Sequence, residues 1–159
     1  MTVNTAPGTP QLALAPATED DFEALFSLRM VAMRASLQRL GRFDPQRARE
    51  RLGRAFEPAH TRHILLAGES VGFVVLLPMP DHLVLDQLHI APQAQRQGVG
   101  SWVMAQVLDA ADRQGLPVRV MALKFSDANL FYRRHGFELQ HETEWDLHYL
   151  RPLKGLKVD

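Results

Sequence analysis

The sequence contains no cysteine, which excludes a disulfide framework, a thiolate nucleophile and any zinc site built on cysteine. It has no excess charge of either sign: 18 Lys and Arg balance 18 Asp and Glu, so no global field draws the chain to polyanions, and nucleic acid is not expected as a partner. No apolar run approaches the ~18 residues of a membrane span, and the N-terminus lacks the basic-then-apolar order of a secretory signal. The expectation is therefore a soluble cytoplasmic protein without a membrane partner. Internal repeats and low-complexity tracts are also missing beyond the first ten residues. The seven histidines form neither an HxH nor an HExxH pair, so no metal is expected.

What is present describes one ordinary globular domain. A chain of 159 residues fits the ~100–200 typical of a domain and can bury a sizeable core without a disulfide. Residues 1–10, with two prolines and little to bury, read as a flexible leader, and the folded domain is expected over residues 11–159. A short strand over Gln11–Ala15 precedes a helix from about Glu19 to Leu40, with Thr18 as cap. Asp44 and Pro45 open a second helix that reaches about Phe56. The period then changes. His63–Ala67, Val71–Leu77 and His82–Ile90 read as an antiparallel meander, with turns at Gly68–Ser70 and Pro78–Asp81. A helix over Val99–Gln114, a strand over Val118–Leu123, a short helix capped by Ser126 and reaching His135, and a closing hairpin over Phe137–Thr143 and Trp145–Arg151 complete the chain. This is an α+β pattern of about seven strands and about four helices.

The chemically informative stretch runs from Leu88 to Gly100, where a strand passes through a loop into a helix with glycines at 98 and 100. Amides at a helix start lack intrahelical partners and carry partial positive charge, so this turn suits a phosphate. The spacing fits neither nucleotide motif. No lysine follows for a GxxxxGK[ST] loop, and a GxGxxG fingerprint would need glycine where Val103 stands.

Gln95, Gly98 and Gly100 match the pattern [QR]xxGx[GA], and Ala128, Tyr132, Gly136 and Phe137 match AxxxYxxxGF after the intervening helix and strand. On these motifs the sequence resembles the GNAT superfamily of acyl-CoA-dependent N-acetyltransferases, over about Gln11 to Arg151. The resemblance implies a GNAT-like fold: a central mixed, mostly antiparallel sheet flanked by the helices. It also implies acetyl-CoA as acyl-donor cosubstrate and an amine acceptor, either a small molecule or a protein N-terminus or lysine. Main-chain groups of Leu88, His89 and Ile90 would then meet the pantetheine arm. Gln95, Arg96, Gln97, Gly98, Val99, Gly100 and Ser101 would cradle the pyrophosphate, and Asn129 and Tyr132 would border the cofactor. Tyr132 matches the family's general acid, a role for which a phenol protonated at neutral pH is suited.

The general base is open between Asp86, His89 and a water relay. Asp86 alternates onto the face of Leu88 and Ile90, while His89 has an unperturbed pKa of about 6.5. With no cysteine to carry an acetyl group, the implied route is direct attack by a primary amine. Eight arginines lie between Arg29 and Arg54 against only Asp44 and Glu50. In the resembled family this helical hairpin borders the acceptor, so Arg34, Arg39 or Arg42 is expected to bind a carboxylate carried by the amine. The rival readings are a solvated arginine face and, for the whole chain, a non-catalytic acyl-CoA-binding or regulatory module. The C-terminal hairpin could pair or pack across a homodimer.

Overall fold

Caps and breakers set the element boundaries in the computed structural model, which describes residues 11–153. The leader assigned to residues 1–10 lies outside the described residues. Strand β1 (Leu12–Pro16) leads to a 3₁₀ turn at Glu19–Asp21 and then to helix α1 (Phe22–Arg39). The helix expected from Glu19 thus starts as a tighter turn, because the Asp21 carboxylate reaches back to accept from the Thr18 amide at 2.8 Å. Helix α2 (Pro45–Ala55) opens on Pro45, with Asp44 accepting from the Arg47 amide at 3.2 Å. Strands β2 (Thr61–Leu66), β3 (Glu69–Pro78) and β4 (Leu83–Ile90) follow. Next come helix α3 (Val99–Gln114), strand β5 (Val118–Leu123), helix α4 (Ala128–Arg134) and strands β6 (Glu138–Glu142) and β7 (Asp146–Arg151).

The seven strands form one mixed sheet in the order β1-β2-β3-β4-β5-β7-β6, so the α+β expectation holds. The β4–β5 pair is parallel, with Leu83, Val84 and Leu85 opposite Val118, Arg119 and Val120. The β1–β2, β2–β3, β5–β7 and β6–β7 pairs are antiparallel. All five residues of the edge strand β6 are exposed. Among the described residues no helix is long and apolar enough to cross a membrane.

Besides small shifts of element ends, two further local features differ from expectation. The β2–β3 turn contracts to Ala67 and Gly68, both with positive φ (52° and 85°), so Glu69 and Ser70 belong to the strand. Positive φ at both central residues matches the twist of a two-residue hairpin, and alanine hides that signal because it seldom adopts it. Ser126 does not cap α4. Its hydroxyl donates to the Leu123 carbonyl at 2.8 Å, and Asp127 occupies the cap position.

The residues group into two compact units: residues up to Val75 with Gln87–Val103, and Leu76–Asp86 with the residues from Met104 onward. In the first, Phe26, Ala48 and Leu52 bury the α1–α2 seam, with Phe22 and Met30 packed against them. Here too Gly72 permits a close backbone approach. A Cβ at that position would lie 2.3 Å from the His89 carbonyl oxygen and 3.2 Å from the Ile90 Cα. Because the obstruction is main chain, Gly72→Ala should cost about 1–3 kcal/mol, as overpacking does. A lowered urea midpoint is the expected result, and an unchanged midpoint would show that β4 yields freely. In the second unit, Val118, Val120 and Ala122 alternate inward on β5 with Tyr149 buried nearby, while Arg119 and Met121 alternate outward.

Candidate active site

The site residues fall in both units, and each group is built within its own. In the first, β4 ends at Ile90 and a 3₁₀ turn at Pro92–Ala94 carries the chain into the loop. The side-chain amide of Gln95 folds back to donate to the Ile90 carbonyl at 2.8 Å, and that of Gln97 donates to the Gln93 carbonyl at 3.1 Å. These two side chains brace the loop, leaving its main chain to face a ligand. Arg96 and Gly98 have φ of 65° and 79°, whereas Gln97 between them is not left-handed. Such alternation turns successive amides toward one concavity, an anion-binding nest, and the first turn of α3 adds its own amides. A Cβ at Gly98 would meet no atom within 4 Å, so this glycine answers a backbone requirement and an external approach rather than crowding inside the protein. The loop fits a pyrophosphate.

Further back on β4, the His89 Nε2 lies 2.7 Å from Gln87 Oε1, which also accepts from Arg29 Nε at 3.2 Å. Since that amide oxygen only accepts, the proton of neutral His89 resides on Nε2. Burial, with the nearby Arg29 charge as a smaller cause, pushes the His89 pKa down to about 3. At neutral pH this imidazole is uncharged and weakly basic. Sequence reasoning passed over Gln87, which pins it.

In the α1–α2 hairpin, the Arg34 guanidinium lies 5.1 Å from the Phe43 ring centroid, and Arg39 Nη2 donates to Ser36 Oγ at 3.3 Å. Arg42 lines a cleft at the turn with Phe43, Asp44 and Arg47. Among the hairpin's other cations, Arg49 pairs with Glu23 at the exposed surface and sits 4.4 Å from the Phe26 ring centroid.

In the second unit a cleft of about 220 Å³ is lined by Val84, Asp86, Arg119, Met121, His141 and His148, among others. Asp86 Oδ2 is buried in it and has no hydrogen-bond partner among the described residues. A buried carboxylate oxygen left unsatisfied costs free energy, so its retention calls for a functional cause. Arg119 brings a guanidinium to the same cleft. His141 and His148, paired across β6–β7, stack with centroids 4.3 Å apart. Sequence reasoning did not single out this wall, although the outward alternation of Arg119 on β5 was legible.

Tyr132 does not line the cleft. It is 6% exposed, with the Phe137, Phe131 and Tyr149 ring centroids 5.5–6.3 Å away, and burial pushes its phenol pKa well above the ordinary value. The Tyr149 ring lies 6.3 Å from Tyr132 on the inward face of the sheet, whereas the cleft is walled by the outward Arg119, Met121 and His148. Asn129 is committed to the scaffold. Its Nδ2 donates to the carbonyls of Leu123 and Ser126 at 2.9 and 3.0 Å, and its Oδ1 accepts from the Tyr149 hydroxyl at 2.8 Å. Both amide protons are thereby used inside the protein, which leaves little for a cofactor.

The sequence matches the family model for an acetyltransferase (GNAT) domain over residues 60–139. None of the curated proteins matches it significantly. Among solved structures, PaiA N-acetyltransferase from Thermoplasma acidophilum, in complex with coenzyme A, is similar with a TM-score of 0.69 at 12% identity, covering 89% of this chain and 98% of that one. Ard1 from Thermoplasma volcanium aligns with a TM-score of 0.67 at 20% identity, over 89% and 97% of the two chains. An acetyltransferase from Thermus thermophilus gives 0.70 at 20% identity, again over 89% and 97% of the two chains. At these identities the structural likeness is one of fold.

Proposed function

Because the chain belongs to the GNAT acetyltransferase family, we propose that it moves an acetyl group from acetyl-CoA to a primary amine by direct attack, within one domain formed by residues 11–159. The observation that carries this reading is the unpartnered Asp86 oxygen in its cleft. Acetyl-CoA supplies the thioester. The nest from Gln95 to Ser101 holds its pyrophosphate, and main-chain groups of Leu88, His89 and Ile90 meet its pantetheine arm.

The amine enters the cleft beside Asp86. A protonated amine is no nucleophile, but once nitrogen attacks a carbonyl it becomes strongly acidic, and a carboxylate can take its proton at Oδ2. His89, weakly basic and bonded to Gln87, serves this step less well. Tyr132, kept protonated by burial, donates a hydrogen bond to the developing thiolate. The same upward shift makes complete proton transfer unfavourable, so its part is charge stabilisation. Arg34, Arg39 or Arg42 binds an acceptor carboxylate, and the carrier is a small amine or a protein amine.

The test is CoA release from acetyl-CoA with a panel of amines, with and without carboxylates. Amine-dependent turnover, favouring carboxylate-bearing acceptors, is expected. Tyr132→Phe should lower kcat by roughly 10-fold or more, within the range of a lost donor, with little change in acetyl-CoA affinity. Tight CoA binding with no turnover on any amine would select the non-catalytic acyl-CoA-binding alternative.

A further inference from the structure

A hydrogen-bonded chain outside the cofactor loop and the cleft joins Asp21 to His63 and Ser70 of the β2–β3 hairpin. His63 Nε2 lies 3.0 Å from Asp21 Oδ2, and His63 Nδ1 lies 3.0 Å from Ser70 Oγ. A carboxylate accepts only, so the imidazole proton sits on Nε2, and the Nδ1 lone pair is left to receive the serine hydroxyl proton. Asp21 is itself held in place, since Oδ2 also accepts from the Thr18 amide at 2.8 Å. The His63 bond, followed by that amide, keeps its carboxyl below the usual carboxylate range, hence ionised at neutral pH.

The strand register shows how Ser70 arrives there. Ile64 faces Gly72 but Leu65 faces Ser70, so Val71 is an extra residue in β3. Without this bulge, two-residue alternation would send Ser70 to the opposite face from His63; the bulge re-aims it onto the same face. The Val71 carbonyl accepts from the Ala91 amide at 2.7 Å, which holds the bulge in place. Ser70 is exposed, whereas the His63 side chain is only 16% exposed. A reachable hydroxyl, a shielded imidazole oriented by a carboxylate, and hydrogen bonds at both steps are the features of an activated nucleophile.

We propose that Ser70 is a second, acyl-accepting site, in which His63 acts as general base and Asp21 positions the imidazole, and that it reacts with short acyl groups carried on activated esters or thioesters. The Ser70 oxygen forms a bond to the acyl carbon while its proton passes to His63 Nδ1. The bond from that carbon to the leaving oxygen or sulfur then breaks, and the leaving group departs with the proton. Water, activated in the same way, releases the carboxylic acid and restores the serine.

The test uses the full chain with p-nitrophenyl acetate, and separately with acetyl-CoA in the absence of any amine. A burst of p-nitrophenolate and an acetyl group mapped to Ser70 by tandem mass spectrometry are expected. An adduct from acetyl-CoA as well would identify thioesters as a source, and an adduct from the oxygen ester alone would restrict the site to esters. Ser70→Ala, at an exposed position that should leave the fold intact, removes the adduct and the burst but keeps amine-dependent CoA release at the parental rate. His63→Gln slows acylation roughly 10²–10⁴-fold. Asp21→Asn slows it at least about tenfold and redistributes the imidazole proton, read from the nitrogen chemical shifts of His63. The proposal is overturned if acetyl appears only on lysines or the N-terminus, or if Ser70 acylates equally fast in His63→Gln.

Discussion

Asp86→Asn should lower kcat/KM by roughly 10²–10⁴-fold, the usual contribution of a positioned general base, without destabilising the protein. The two halves of this expectation have separate causes. Asparagine keeps the shape of the side chain but cannot take a proton, so the deprotonation that follows amine attack loses its acceptor. The Asp86 Oδ2 has no hydrogen-bond partner among the described residues, so the substitution breaks no bond made by that oxygen. A thermal unfolding midpoint close to the parent's, with turnover nearly lost, is the signature of a group kept for chemistry rather than for the fold. His89→Gln provides the comparison. If it has the larger kinetic effect, the base is His89. If both variants stay within about twofold of the parent, a water relay does the work.

Gly98→Asp should weaken CoA binding by roughly 100-fold or more. Each charge-assisted hydrogen bond to an anion contributes about 1.5–3 kcal/mol, and a carboxylate beside the loop opposes several at once. Conformation and charge can be separated here. Gly98 has a φ of 79°, so any side chain is strained, yet a Cβ meets nothing within 4 Å. Gly98→Ala therefore carries the backbone strain, about 1–2 kcal/mol, without the charge. Calorimetry should rank affinity as parent, then alanine, then aspartate. Unchanged affinity in the aspartate variant would remove the pyrophosphate from this loop.

Local punctuation explains which parts of the fold could be read from sequence. Helix α3 and strand β5 have the expected bounds because Gly98, Gly115 and Pro117 mark their limits, and mark them through backbone geometry. The β2–β3 turn was misplaced because Ala67, not a glycine, takes the first left-handed position. Ser126 was misread as a cap because its hydroxyl bonds backward to Leu123. The pyrophosphate loop was legible as a contiguous motif. The cleft around Asp86 was not, since Arg119, His141 and His148 arrive from three strands whose pairing no single segment encodes. The Asp21–His63–Ser70 chain depends on a one-residue bulge, which leaves no mark on composition or period.

The edge strand β6 bears on solubility. Its open main chain could template a strand from a second copy, and the most symmetric antiparallel pairing, centred on Gln140, would set Glu138 of each copy against Glu142 of the other. Like charges directly opposed across strands repel, and a register shift between Leu139 and His141 further interrupts a flat ladder. The acidic ends of β6 thus act as gatekeepers against edge-to-edge fibres. Colloidal stability should fall as these glutamates are neutralised, by acid or by Glu138→Gln with Glu142→Gln, even where the fold itself is untouched.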